Sequence, residues 1–182
     1  MTRVALTAIY SQCNDRIMGV NGELPIKLRA DMKMFISATE GNHCIMGRKT
    51  WESLPESMKV NKRGRTYYVL TKDHLYCPGH GAIPIYDLHT FLVMMYTVAP
   101  MVYLLGGADI LQQYQDVCDT LMVTDINYDV DVKEGDSLSF APMINPGKFR
   151  LYVKSPLLSE KLKGSEVGFE FKTYVKIEDR KN

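Results

Sequence analysis

Cys44-Ile45-Met46-Gly47-Arg48-Lys49-Thr50-Trp51-Glu52-Ser53-Leu54 decides the fold class. An apolar run with strand character ends in a glycine, and two cations, a threonine and a helix-like segment follow. A strand feeding a helix in this way belongs to sheets that carry helices on their faces. The junction also gathers Arg48, Lys49 and free backbone N–H groups at a helix N-terminus, where an anion is favoured. A basic turn between strand and helix is the plain alternative. A P-loop is excluded by spacing, because that motif needs glycine, four residues and then Gly-Lys-Ser/Thr. Here Arg48 separates Gly47 from Lys49, and Gly41 lies too far upstream.

Outward from this stretch the chain alternates strand and helix. Val4 to Tyr10 is apolar and β-favouring; Ser11 to Gly22 carries loop chemistry, with Ile17-Met18 as an apolar anchor. Ala30 to Thr39 places Met32, Phe35, Ile36 and Thr39 on one helical face. Tyr67 to Leu70, Ile83 to Tyr86, Met101 to Leu105 and Thr120 to Ile126 read as strands, and Leu88 to Val98 as a helix. Towards the end the pattern changes. Phe149 to Val153 and Gly168 to Ile177 are strands without an intervening helix, and Leu157 to Gly164 is expected to be their hairpin connection. The expectation is a mostly parallel sheet with flanking helices and an antiparallel edge.

A chain of 182 residues fits one domain, residues 1–182. A formal net charge of +1 gives no global field for nucleic acid or an acidic membrane, so neither is an expected partner. Its apolar runs are too short to span a bilayer, and Met1-Thr2-Arg3-Val4 lacks a signal-peptide core. Cys13, Cys44, Cys77 and Cys118 are scattered without a CxxC pair, which suits free thiols in a reducing cytoplasm. His74, Cys77 and His80 supply three zinc-type side chains, but no fourth is near and Pro78-Gly79 marks a turn, so an exposed loop is expected and no metal.

Met101-Val102-Tyr103-Leu104-Leu105-Gly106-Gly107-Ala108-Asp109-Ile110 is a second strand–glycine–helix junction. It lacks the G-x-G-x-x-G fingerprint, and a lone Gly-Gly turn is often structural. Two such junctions in one parallel sheet open onto the crevice beyond the strand carboxyl ends. Arg48, Lys49 and Lys72, with the Thr50 and Thr71 hydroxyls, suit a nucleotide with several phosphates. Asp31 supplies a contrasting charge in the first turn of the Ala30–Thr39 helix. Acids often stand there to complement the helix dipole. Asp31 also lies next to Met32 and four before Phe35, close to the apolar face, where a planar amidine-like group would satisfy both oxygens.

Taken together, Leu24-Pro25, Leu28, Asp31, Phe35, Ile45 through Leu54, Gly64-Arg65, Leu105-Gly106-Gly107 and Thr124 resemble dihydrofolate reductase, over about Val4 to Ile126. The resemblance implies an eight-stranded mixed, mostly parallel sheet and NADPH-dependent reduction of 7,8-dihydrofolate to tetrahydrofolate by a monomer. It implies that Asp31 binds the pterin and promotes N5 protonation, supported by Thr124. Ala5, Leu28, Phe35, Leu54 and Leu105 would line the substrate, and Arg65 would hold its glutamate carboxylate. The cofactor contacts it implies are Ala5, Ile17, Gly19, Gly47, Arg48, Lys49, Thr50, Leu70, Thr71, Lys72, Leu105, Gly106, Gly107, Ala108 and Ile110. It also implies a cis Gly106-Gly107 bond and a lid from Asn14 to Glu23.

The chain departs from the family pattern at Ile26, where tryptophan is usual, at Ala108, where a third glycine is frequent, and at Asp109, where bacterial members often have a basic residue. The Glu56–Arg63 segment is longer than in compact members, leaving Met58 and Val60 both open as contacts to the substrate tail. A related pyrimidine reductase shares the cofactor half, but Asp31 and Arg65 count against it. A noncatalytic NADPH-binding or assembly subunit is the reading from a different class.

Overall fold

The computed structural model describes residues 4–60 and 63–178. Met1 to Arg3, read above for a signal peptide, and residues 61 and 62 of the Glu56–Arg63 segment lie outside them. The strands are β1 (Ala5–Gln12), β2 (Ile17–Val20), β3 (His43–Gly47), β4 (Thr66–Leu70), β5 (Ile83–Ile85), β6 (Met101–Leu104), β7 (Thr120–Asn127), β8 (Leu138–Phe140), β9 (Phe149–Lys154), β10 (Leu158–Leu162) and β11 (Ser165–Lys176). The α-helices are α1 (Arg29–Thr39), α2 (Arg48–Ser53), α3 (Glu56–Val60), α4 (Leu88–Met95) and α5 (Ala108–Tyr114).

The main sheet runs β10-β11-β7-β1-β6-β3-β4-β5. From β7 to β5 every pairing is parallel. At β11 the direction reverses, so the far edge is antiparallel, as the tail pattern implies. The outer side of β11 is divided: β10 covers Ser165–Phe169 and β9 covers Lys172–Lys176.

Period-two alternation sorts the strand side chains onto two faces. Ile45, Tyr68, Leu70 and Leu6 face one core, where Leu88, Phe91 and Met95 of α4 and Leu111 of α5 pack. Cys44, Met46, Tyr67, Val69 and Ile9 face the other, against Met34, Phe35 and Ala38 of α1 and Trp51 of α2. Helices therefore cover both faces, which buries the central strands on either side.

Two stretches depart from expectation. Leu157 to Gly164 is not a plain connection, because Leu158–Leu162 forms β10 and turns back through Lys163-Gly164 at φ 47° and 89°. Its Glu160 and Lys161 hide the strand because an edge strand needs no buried alternation. Ser11 to Gly22 is not all loop. Ser11 and Gln12 extend β1, and Ile17–Val20 pairs with β8 in a separate two-stranded sheet. Beyond it, Asn21 and Gly22 turn at φ 52° and 82°, with Val20 and Glu23 exchanging backbone hydrogen bonds of 2.9 and 3.0 Å. That is the conformation Asn-Gly favours. No helix among the described residues is long and apolar enough to cross a membrane.

Candidate active site

The two strand–glycine–helix junctions lie side by side. Gly47 N–H donates to the Gly106 carbonyl at 3.0 Å, and Leu105 N–H donates to Ile45 at 2.8 Å. The Gly106-Gly107 peptide is cis, and Gly106 has φ 94°. A Cβ on Gly107 would lie 2.7 Å from the Thr50 hydroxyl, and one on Gly47 would lie 2.9 Å from Cγ1 of Ile110. Gly47, Thr50, Gly106, Gly107, Ala108 and Ile110 are thus packed tightly together where the two junctions meet. Leu70 pairs with Gly47 in register, which brings Thr71 and Lys72 to the same end of the sheet.

The cations stand at this end with acids close by. Arg48 is half-exposed, 3.7 Å from Asp73 and 3.9 Å from Glu52, with its guanidinium over the Tyr76 ring. Lys49 and Lys72 are exposed. Thr71 is buried, and its hydroxyl accepts the Asp73 N–H at 3.1 Å. Arg48 is therefore presented as a cation held at the surface by weak, screened pairs. Asp109 is exposed in the first turn of α5.

Asp31 enters from α1. Thr124 on β7 donates its hydroxyl hydrogen to Oδ1 of Asp31 at 2.6 Å. Burial raises the Asp31 carboxyl above its ordinary value, and the Thr124 hydrogen bond opposes that rise. The helix N-terminus does not depend on Asp31. Leu28 at the cap position offers no side-chain acceptor. Glu160 on β10 instead accepts the Arg29 N–H at 3.0 Å and the Ala30 N–H at 3.1 Å, one on each carboxylate oxygen. An acid far away in sequence thus caps the helix start beside the first-turn Asp31.

Phe35, Leu54 and Leu105 are partly buried in one apolar cluster with Ile9, Met46 and Trp51. Leu28 is buried in another, with Ile26 packed against it beside Cys13 and Phe169. Arg65 is buried below Phe35, its guanidinium 5.5 Å from the ring centroid. Its Nε donates to the Thr39 hydroxyl at 2.7 Å and one terminal nitrogen to the Ile36 carbonyl at 3.2 Å. The fork is oriented by α1 before any ligand arrives. Of the two tail candidates, Met58 is half-buried and Val60 exposed.

Ile17 and Gly19 lie on β2, which β8 holds over the sheet end; a Cβ on Gly106 would lie 4.0 Å from Cε of Met18. Ala5 is a correction. It pairs with Met101 at the amino end of β1, whereas Ser11 pairs with Thr124. Ser11 lies six positions beyond Ala5 along β1, about 20 Å, so Ala5 stands at the end of the strand away from the Asp31–Thr124 pair. The apolar run beginning at Val4 carries no mark of which end meets ligand.

His80 pairs with Glu56 at 3.0 Å and His74 stacks on Tyr86, so these histidines are engaged separately. Burial pushes the thiols of Cys13, Cys44 and Cys118 up to about 11, 12 and 12, so none is a ready thiolate. The groups equipped for chemistry at this end of the sheet are one raised carboxyl and a glycine junction edged by cations.

A family model described as dihydrofolate reductase matches residues 5–176. Dihydrofolate reductase type 8 of Escherichia coli is 33% identical over 130 residues, covering 68% of this chain and 72% of that protein. Dihydrofolate reductase of Heliothis virescens is 26% identical over 192 aligned positions, covering 97% and 100%. Among solved structures, dihydrofolate reductase from Enterococcus faecalis complexed with NADP(H) and RAB-propyl superposes with a TM-score of 0.77 at 22% identity, covering 96% and 97%. That likeness establishes the fold.

Proposed function

Because the chain belongs to the dihydrofolate reductase family, we propose that it reduces 7,8-dihydrofolate to 5,6,7,8-tetrahydrofolate with NADPH. The observation that carries this reading is the Asp31–Thr124 pair, a raised carboxyl at the end of the parallel sheet where the glycine junctions also lie.

The residues present fit NADPH. Gly47 and Gly107 let Ile110 and Thr50 pack directly on their backbone, which draws the two helix starts together at the strand ends. Arg48, Lys49 and Lys72, with Thr50 and Thr71, would hold its phosphates, and Arg48 is the choice for a 2′-phosphate because a guanidinium meets phosphate through two donors. When bound, the cofactor supplies the hydride, from nicotinamide C4 to pterin C6. Asp31 accepts hydrogen bonds from the pterin amino group and ring nitrogen, and burial, by raising its carboxyl above the ordinary value, favours the form that can hold a proton for N5. Thr124 fixes the carboxyl that performs this step. Phe35, Leu54 and Leu28 exclude water from the pterin and benzoyl groups, and Arg65 pairs with the glutamate carboxylate. Ile26 offers no donor to a site water, so that part of the proton path differs from the usual family arrangement. Free thiols support a reducing cytoplasm as the setting.

The test is NADPH oxidation by purified protein. Absorbance loss is expected only when dihydrofolate is added, with NADPH strongly preferred to NADH. No turnover with NADPH binding intact would overturn the enzyme reading in favour of a noncatalytic NADPH-binding subunit.

A further inference from the structure

Glu160 is the acid that the mechanism above leaves unused. It stands on β10 and grips the first two N–H groups of α1 with its two oxygens. Asp31 is the next residue of that turn. β10 is carried by β11, whose Phe171 pairs with Thr124 on β7. The neighbouring strands β10, β11 and β7 therefore supply both the clamp on the Asp31 turn and the hydroxyl that donates to Asp31.

We propose that Glu160 is a positioning residue for Asp31: it fixes the first turn of α1 so that the carboxyl stays buried against the Thr124 hydroxyl. The assignment of Asp31 as the proton-handling group rests on the function proposed above, but the clamp itself does not. A helix start without a side-chain cap leaves its first N–H groups without intrahelical partners, and Leu28 gives none. Glu160 satisfies two of them and, by accepting from Arg29 and Ala30, has its carboxyl held below the ordinary glutamate value. It thus remains ionised, and able to accept both bonds, throughout the neutral range.

The charged groups around this turn are Glu160 on β10 and Arg29 and Lys33 on α1. From β7, Asp31 meets the Thr124 hydroxyl; the next residue, Asp125, is engaged by Gln12 and Lys172. Burial and the Thr124 hydrogen bond, in that order, set the Asp31 titration. Loosening the turn admits water and removes the larger influence, so the carboxyl falls towards its ordinary value.

The experiment follows the Asp31 carboxyl by carbon-13 NMR titration in wild type, Glu160→Gln and Glu160→Ala, with Asp31→Asn to assign the signal. Steady-state pH profiles and melting temperatures are measured on the same proteins. The Asp31 midpoint is expected to fall, more in Glu160→Ala than in Glu160→Gln, which keeps one carbonyl acceptor. The pH at which reductase turnover is half lost should fall with it, by at least about 0.3 unit, with kcat at neutral pH reduced more than KM is raised. Lower melting temperatures with an unmoved Asp31 midpoint would overturn the proposal, leaving Glu160 an ordinary helix cap. A wild-type protein without reductase turnover would defeat the proposed function alone, since the NMR midpoints still test the clamp.

Discussion

Thr124 and Asp31 meet across 2.6 Å, with the hydroxyl as donor, although one lies on the strand beside the sheet centre and the other on a helix packed over it. The bond stabilises the ionised carboxyl against burial. Thr124→Val removes it without emptying the space. The Asp31 titration midpoint should move further up, opposite to the change expected in the Glu160 variants. The falling limb of the rate profile should shift to higher pH. Because Asp31 loses its alignment, kcat/KM should drop roughly tenfold, the scale of a hydrogen bond to a charged group. Steady-state kinetics across pH read both effects.

Asp31→Asn should separate stability from activity. The folded Asp31 titrates above its ordinary value. The folded state then binds a proton more readily than the unfolded one, so this group's contribution to stability falls as pH rises from the ordinary carboxylate value through the folded one. At neutral pH asparagine escapes that cost, and its carbonyl still accepts from Thr124. Calorimetry should show a higher melting temperature than wild type at pH 7 and a smaller difference in acid. Turnover at neutral pH should collapse, with partial rescue at low pH where the substrate is protonated already.

Arg48→Gln tests the cofactor assignment. The guanidinium contributes little to the fold, being half-exposed and 3.7 Å from Asp73. Loss of a charge-assisted phosphate contact should raise KM for NADPH by about 10- to 100-fold. KM for NADH and the melting temperature should hardly change. An equal loss for both cofactors would place the 2′-phosphate elsewhere.

Gly47→Ala tests the glycine junction. The added methyl would lie 2.9 Å from Cγ1 of Ile110, a methylene next to the branched Cβ and so less free to swing aside than a chain end. Overpacking of this kind costs about 1–3 kcal/mol, measurable by urea unfolding, and the displaced α5 should weaken NADPH binding as well.

The two glycine junctions were legible because their signals are local. Gly47 and Gly106 each close an apolar strand within one continuous stretch, and the helix that follows each needs no distant partner to be recognised. Asp31 was legible from its place beside the apolar face of α1. Glu160 was not, because it reads as surface charge until β10 folds beside α1. Ala5 misled for a related reason: a buried strand is apolar at both ends, and only the pairing of Ser11 with Thr124 tells which end meets the crevice. β10 itself escaped notice because its exposed side chains alternate with nothing buried.

The sheet order has a temporal consequence. β1 is the first strand of the chain, yet it lies between β6 and β7, pairing Ala5 with Met101 and Ser11 with Thr124. Pairing across such sequence separations requires large loops to close before any contact rewards them, which slows folding. During synthesis the β3–β4 pair, close in sequence, has its partner early, while β1 waits with its apolar faces unpaired. Asp31 and Thr124 become partners only after that wait ends. A correctly titrating Asp31 is therefore a reporter of completed assembly, and its appearance in a refolding experiment should trail the formation of helix.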